Sequence, residues 1–154
     1  MTTVPKTTIN DFVLSVKSQR TAGNYFTSGL IIRKKGTDSS TVQDIKDMLP
    51  HHIFFEATDH TNNESVTSSI RNAFEGKKWL FIYLSDGSLP VLLREQLARL
   101  KDSNAIFIQG KTQEDTFFAD QTDETRIVVF IDEDNIEKIN EEGFLNLFGA
   151  VIEI

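Results

Sequence analysis

Three histidines, His51, His52 and His60, lie close in sequence to Glu56 and Asp59 and form the chain's one candidate metal cluster. Zinc requires at least three ligands in a defined geometry. Neighbouring residues of an extended segment point to opposite faces. His51 and His52 therefore do not readily share an ion, and the group reads as surface and rim histidines. Gly110-Lys111-Thr112 resembles the end of a phosphate-binding loop, which needs a further glycine five residues earlier; Ala105 stands there. The residues between are apolar and extended, not glycine-rich with free amides, and Gln113-Glu114-Asp115 follows with charge that repels phosphate. An ordinary turn after a strand is the better reading. Ile127–Ile131 followed by Asp132-Glu133 resembles the apolar strand and acidic pair that hold magnesium in nucleotide hydrolases. Without a phosphate loop the pair reads as a solvated strand end or a helix start that favours negative charge. Ser85-Asp86-Gly87-Ser88 follows an apolar strand, at a place where open parallel sheets bind ligands. It lacks the Gly-x-Ser-x-Gly frame of a nucleophile elbow, and reads as a turn with a helix cap. The sequence thus assigns no catalytic, cofactor-binding or metal-ligating residue, and an enzyme is not expected.

The elements that would position such groups are more legible. Trp79–Leu84 and Ala105–Ile108 are unbroken apolar runs, the pattern of strands buried on both faces. Between them Leu89, Leu93, Leu97 and Leu100 keep helical spacing, with Pro90 in the first turn where its missing N–H costs nothing. This strand, helix and strand read as a parallel crossover. Further strands are expected at Ile9–Lys17, at Leu30–Ile32, at Ile53–Phe55, at Arg126–Ile131 and at Ala150–Ile154. Ser40 and Gln43 fit a capping box for a helix carrying Val42, Ile45, Met48 and Leu49, closed by Pro50. Val66, Ile70 and Phe74 mark a second helix stopped by Gly76. Gly110–Thr125 reads as a polar excursion or hairpin around Phe117-Phe118, and Asn135–Leu147 as a helix weakened by Gly143. The fold class is α/β: a single three-layer domain, a mostly parallel sheet with flanking helices. Residues 1–8 read as a flexible N-terminal arm and 9–154 as the single domain.

Composition narrows the possible roles. A chain of 154 residues can bury about two thirds of its unfolded surface. The formal net charge of −7 argues against broad contact with a nucleic-acid backbone, and the basic groups Arg33-Lys34-Lys35 and Lys77-Lys78 are short. No cysteine is present, so disulfides and thiolate metal sites are excluded. No apolar run approaches the ~20 residues that span a bilayer, and the first residues lack a secretory pattern. A cytosolic product without membrane association is expected.

Three stretches together resemble the phage contractile tail sheath family. Ile9–Ile32 has the strand, the turn, and the aromatic and glycine before the next apolar strand with which sheath-like proteins open. Trp79–Asp86, a helix and Asn104–Gln109 are similar to the family's alternation of strand, helix and strand. Thr125–Asp132 is similar to its strand before a helical segment. Sheath proteins continue into a C-terminal domain and linking arm, whereas this sequence stops at Ile154. The resemblance implies a structural, self-assembling virion component: a homo-oligomer surrounding a phage tail tube, assembled in the host cytoplasm and located in the tail. Terminal arms of such subunits add strands to their neighbours' sheets. Residues 1–8, the strand expected after them at Ile9–Lys17 and the apolar Val151–Ile154 would be the linking pieces here. The competing reading is a degenerate P-loop-like nucleotide-binding domain, or an adaptor domain, without catalytic activity.

Overall fold

A computed structural model describes residues 6–7, 28–36, 41–49, 51–122, 125–139 and 143–154. Its strands are β1 (Lys6–Thr7), β2 (Gly29–Arg33), β3 (His52–Ala57), β4 (Trp79–Leu84), β5 (Ala105–Ile108), β6 (Phe117–Asp120), β7 (Ile127–Asp132) and β8 (Ala150–Glu153). The helices are α1 (Thr41–Met48), α2 (Asn63–Glu75), α3 (Val91–Ser103) and the single turn α4 (Glu133–Ile136), with a 3₁₀ turn at Leu145–Leu147. Six strands form one sheet in the order β1-β8-β2-β7-β4-β3, and each pairing is parallel. The expected α/β class with a mostly parallel sheet and flanking helices is what the chain adopts.

Parallel strands demand crossovers, and the crossovers cover both faces. Leu30, Ile32, Leu80, Ile82, Ile127, Val129 and Ile131 point to one face and meet Val66, Ile70 and Phe74 of α2 and Leu93, Leu97 and Leu100 of α3. Phe144 and Phe148, on the way to β8, cover the same face. Ile31, Phe81, Val128, Phe130 and Ile152 point to the other face and meet Ile45 of α1 and Leu49. Each large apolar side chain so covered contributes roughly 1.5–3 kcal/mol, which is how α2 and α3 are held. Asn62 caps α2, its side-chain oxygen accepting from Ser65 N at 2.8 Å. Gly76 ends α2 as expected but keeps a right-handed backbone (φ −85°); the left-handed step falls on Lys77 (φ 53°).

Two expectations change. Ala105–Ile108 is not the next strand of the parallel sheet. As β5 it pairs antiparallel with β6 in a separate two-stranded sheet, and the strand that returns beside β4 is β7. The reason is Gln96, buried on α3. Its side-chain amide donates to Phe107 O at 2.7 Å and accepts from Phe107 N at 2.8 Å. It thereby satisfies the backbone of β5 where a neighbouring strand would otherwise be needed. The second change is at Asn135–Leu147, which is not one helix. A single turn (α4) and the 3₁₀ turn are what form among its described residues, with Gly143 at φ 86°, outside the helical region. The strand expected at Ile9–Lys17 and the Ser40 cap lie outside the described residues, as does most of the 1–8 arm. Of that arm, Lys6–Thr7 pair with Val151–Ile152.

Gln96→Ala leaves the amide and carbonyl of Phe107 without their partners. Urea unfolding followed by circular dichroism should show a loss of about 1–3 kcal/mol.

Candidate functional site

In open parallel sheets ligands bind at the carboxyl ends of the strands, between neighbours whose outgoing chains leave toward opposite faces. Here those neighbours are β2 and β7. The chain leaves β2 for α1 on one face and leaves β7 for the segment carrying Phe144 and Phe148 on the other. A crevice of about 430 Å³ opens there, lined by residues 33–36 beyond β2 and 132–135 beyond β7.

Register brings the polar ends of three strands together. Arg33 lies directly opposite Asp132 across the β2–β7 ladder, and Tyr83 opposite Phe130 across the β4–β7 ladder. All four side chains project from the face that α1 covers. Arg33 Nε donates to Asp132 Oδ1 at 2.5 Å, and Tyr83 Oη donates to Asp132 Oδ2 at 2.6 Å. The Arg33 guanidinium sits 5.6 Å from the centroid of the Phe130 ring, and Tyr83 meets that ring edge to face at 5.1 Å. Both oxygens of Asp132 are thus engaged, and the aromatic column Phe54, Phe81 and Phe130 ends beneath the cluster. The Tyr83 phenol is pushed up to about 12, first by burial and then by its hydrogen bond and proximity to the Asp132 carboxylate.

The same end of the sheet is tied along its length. Lys35 N donates to Glu133 Oε2 at 3.1 Å, and Lys34 Nζ approaches Glu153 Oε2 at 3.0 Å. Lys35 Nζ approaches Asp134 Oδ1 at 3.2 Å, an exposed pair of small energetic weight. Asn135 Nδ2 donates to Ser85 O at 3.1 Å. Gly87 (φ 81°) lies so near that a Cβ would come within 2.9 Å of Asn135 O. Asp86 accepts from Asp59 N and Ser88 N, both at 2.9 Å, and these two amides hold its carboxyl below the usual range.

The sequence candidates fall as follows. Asp132-Glu133 does lie beside a strand-to-helix loop, the one that begins Arg33-Lys34-Lys35-Gly36, but its carboxylates are bound by that loop's own groups. Ser85 Oγ donates to Glu56 Oε2 at 3.2 Å, with the Ser85–Ser88 turn docked on Asn135. Gly110 begins a tight turn: a Cβ there would meet Asp115 at 2.3 Å, and its amide donates to Thr116 Oγ1 at 3.0 Å. His51 and His52 stand at the amino end of β3 and His60 beyond its carboxyl end, roughly 20 Å away along a six-residue strand. Among the described residues no group of three or more His, Asp or Glu is placed to hold a metal. Nor is any helix among them long and apolar enough to cross a membrane. Sequence reasoning missed Arg33, Tyr83 and Asn135 as members of one cluster. The available signal was that β2 and β7 each end an apolar run on a charged side chain, and that β4 carries a tyrosine one residue before its end.

Comparison with models of known protein families finds no match, and comparison with curated protein sequences finds none.

Replacing Asp132 by Asn should lower the Tyr83 ionisation part of the way back, since burial remains, read by ultraviolet absorbance titration of the variant against the parent protein. The linkage has a definite sign. A phenol whose folded value is raised from 10 to about 12 stabilises the fold fully below pH 10, and that contribution disappears as pH climbs through 12. Urea midpoints measured from pH 9 to 12 should fall for the parent protein and fall less for Asp132→Asn.

Proposed function

We propose that this chain is a non-catalytic assembly domain, a structural component of the tail-sheath kind that its sequence resembles. Its copies associate with one another and process no substrate. A tail tube as partner and a place in a virion tail belong to the same proposal. What carries the reading is the state of the carboxyl-end crevice. Where this class of fold usually receives a ligand, Asp132 is committed through both oxygens to Arg33 and Tyr83, and the flanking loops are tied to each other. A general base or metal ligand needs a lone pair facing the substrate; here each oxygen of Asp132 turns one lone pair to a neighbouring strand. The pairing of Lys6–Thr7 with Val151–Ile152 adds support. A short N-terminal strand laid on the sheet's edge is the device by which arms join subunits, and the same pairing made between copies would link them.

One feature favours a second reading, that of a degenerate nucleotide-binding domain. The basic loop from Arg33 to Gly36 occupies the position between a strand and a helix where phosphates are cradled in doubly wound folds.

Two measurements separate the readings. Sedimentation across a concentration series should show association that grows with concentration. Removing residues 1–8 should lower it while circular dichroism stays unchanged. Calorimetric titration with magnesium and ATP should give no binding at micromolar concentration. A micromolar isotherm together with a concentration-independent monomer would replace the first reading by the second.

A further inference from the structure

Among the described residues β6 has a strand on one side only, its antiparallel partner β5. Gln121 N donates to Asn104 O at 2.9 Å, which makes Asn104 and Gln121 a hydrogen-bonded pair of that ladder. Such pairs alternate with non-bonded ones. Ile106–Ala119 and Ile108–Phe117 therefore bond across the hairpin, and Ala105–Asp120 and Phe107–Phe118 do not. The amide and carbonyl of Phe107 agree with this, since they face away from β6 and meet Gln96. By the same alternation Phe118 and Asp120 direct their amides and carbonyls out of the open edge of β6. Their side chains share the outer face of the hairpin, opposite Ile106, Ile108 and Phe117, which are buried in the core. Phe118 is 63% exposed. Its ring meets that of half-buried Phe107 at 6.4 Å, and the Arg99 guanidinium of α3 lies 5.4 Å from the Phe107 ring.

We infer that β6 pairs antiparallel with β6 of a second copy about a two-fold axis at Phe118, making one sheet of two hairpins. This names one interface of the assembly reading above and rests on that reading. At the axis Phe118 lies opposite Phe118, a hydrogen-bonded pair with Cα atoms about 5.5 Å apart. Phe117 lies opposite Ala119 on the inner face, and Asp120 opposite Thr116, each twice by symmetry. Thr116 N already donates to Gln113 O at 3.3 Å, so that last pair is joined by the Asp120 amide and the Thr116 carbonyl alone.

What selects a second copy as the occupant is the match of this edge to its own reverse, the property that an isologous two-fold interface requires. Residues directly opposite one another line up across neighbouring strands. The rings therefore form one row: Phe107, Phe118, then Phe118 and Phe107 of the second copy, with an Arg99 guanidinium against each end. The Asp120 carboxylate faces an uncharged residue. Only shifts of two residues keep outward groups matched. One such shift sets the Phe118 ring against the Asp120 carboxylate and breaks the row. The other runs off the strand into the turn and brings Asp120 up to Glu114, like charge against like. A four-residue edge buries far less than the roughly 1,200 Å² of a stable interface, so the contact is weak singly and gains strength by repetition in an assembly.

The chain has no cysteine, so a single introduced thiol finds a disulfide partner only in another copy. Phe118→Cys puts two thiols at the axis, at a Cα separation within the disulfide range. Mild oxidation with copper phenanthroline should give covalent dimer. Asp120→Cys lies on the same face, but in this register its two copies stand about 13 Å apart, and it should give less than about a tenth as much. Adding Asp120→Pro to Phe118→Cys removes an outward amide, spares the β5 ladder and should lower the yield about tenfold. Circular dichroism checks that each variant is folded, and the comparison of positions 118 and 120 decides the matter where the proline variant does not fold. Equal crosslinking at the two positions, or none at 118, would overturn β6 pairing. Sedimentation of the parent protein up to about 1 mM accompanies the crosslinking. Association that grows with concentration, without a crosslink at 118, would overturn β6 pairing while leaving the assembly reading standing. A monomer at every concentration would overturn both.

Discussion

A parallel strand that is covered on both faces and hydrogen-bonded along both edges can meet solvent only at its ends. β7 is such a strand: β2 and β4 flank it, and Ile127, Val128, Val129, Phe130 and Ile131 are each 0% exposed. Its backbone pairs are satisfied within the sheet, so any polar side chain it carries must stand at a terminus. Asp132 stands at the carboxyl end, at a position where three strand ends come into register. A carboxylate there, half withdrawn from water, must be paired or pay a desolvation penalty. Arg33 and Tyr83 supply the partners, one from each neighbouring strand. The cluster follows from the burial of β7, and the alignment of β2 and β4 is in turn pinned by the cluster.

At this end of the sheet the topology and the side chains act in opposite senses. The topology creates a crevice by sending β2 and β7 to opposite faces. The side chains then close it electrostatically, with cations of the β2 loop set against anions of the β7 loop. The exposed lysine pairs add little energy, whereas the charge-assisted contacts of Asp132 are short and partly withdrawn from solvent, the circumstances in which such bonds matter.

The sequence exposed the layers more readily than their order. Helical spacing at Val66, Ile70 and Phe74 and at Leu93, Leu97 and Leu100 announces faces that the structure buries. The apolar runs of β2, β4 and β7 likewise announce central strands. Ala105–Ile108 has the same apolar signature, and nothing local distinguishes a strand of the main sheet from one arm of a hairpin. What decides it is Gln96, which looks like an ordinary polar position until α3 is docked and the amide meets Phe107. The candidate site was hidden for a related reason. Arg33 and Asp132 are 99 residues apart. Each alone has the character of a solvated strand end, and no periodicity carries the information that β2 and β7 are neighbours. Asn135–Leu147 was misleading because Ile136 and Ile139 are spaced as on a helix, yet α4 ends at Ile136 and Ile139 packs against the core from beyond it.

The position of β2 also bears on how the molecule comes into being on a ribosome. Leu30, Ile31 and Ile32 emerge early, yet the strands on either side of them, β7 and β8, lie about a hundred residues further along the chain. A growing polypeptide therefore holds this oily triplet with both hydrogen-bonding margins vacant through most of its own translation. The sheet's centre is sealed only by late-arriving residues. Maturation is consequently a concerted closure of near and distant segments, slow by the standards of locally wired folds, and its early vulnerability is to sticking.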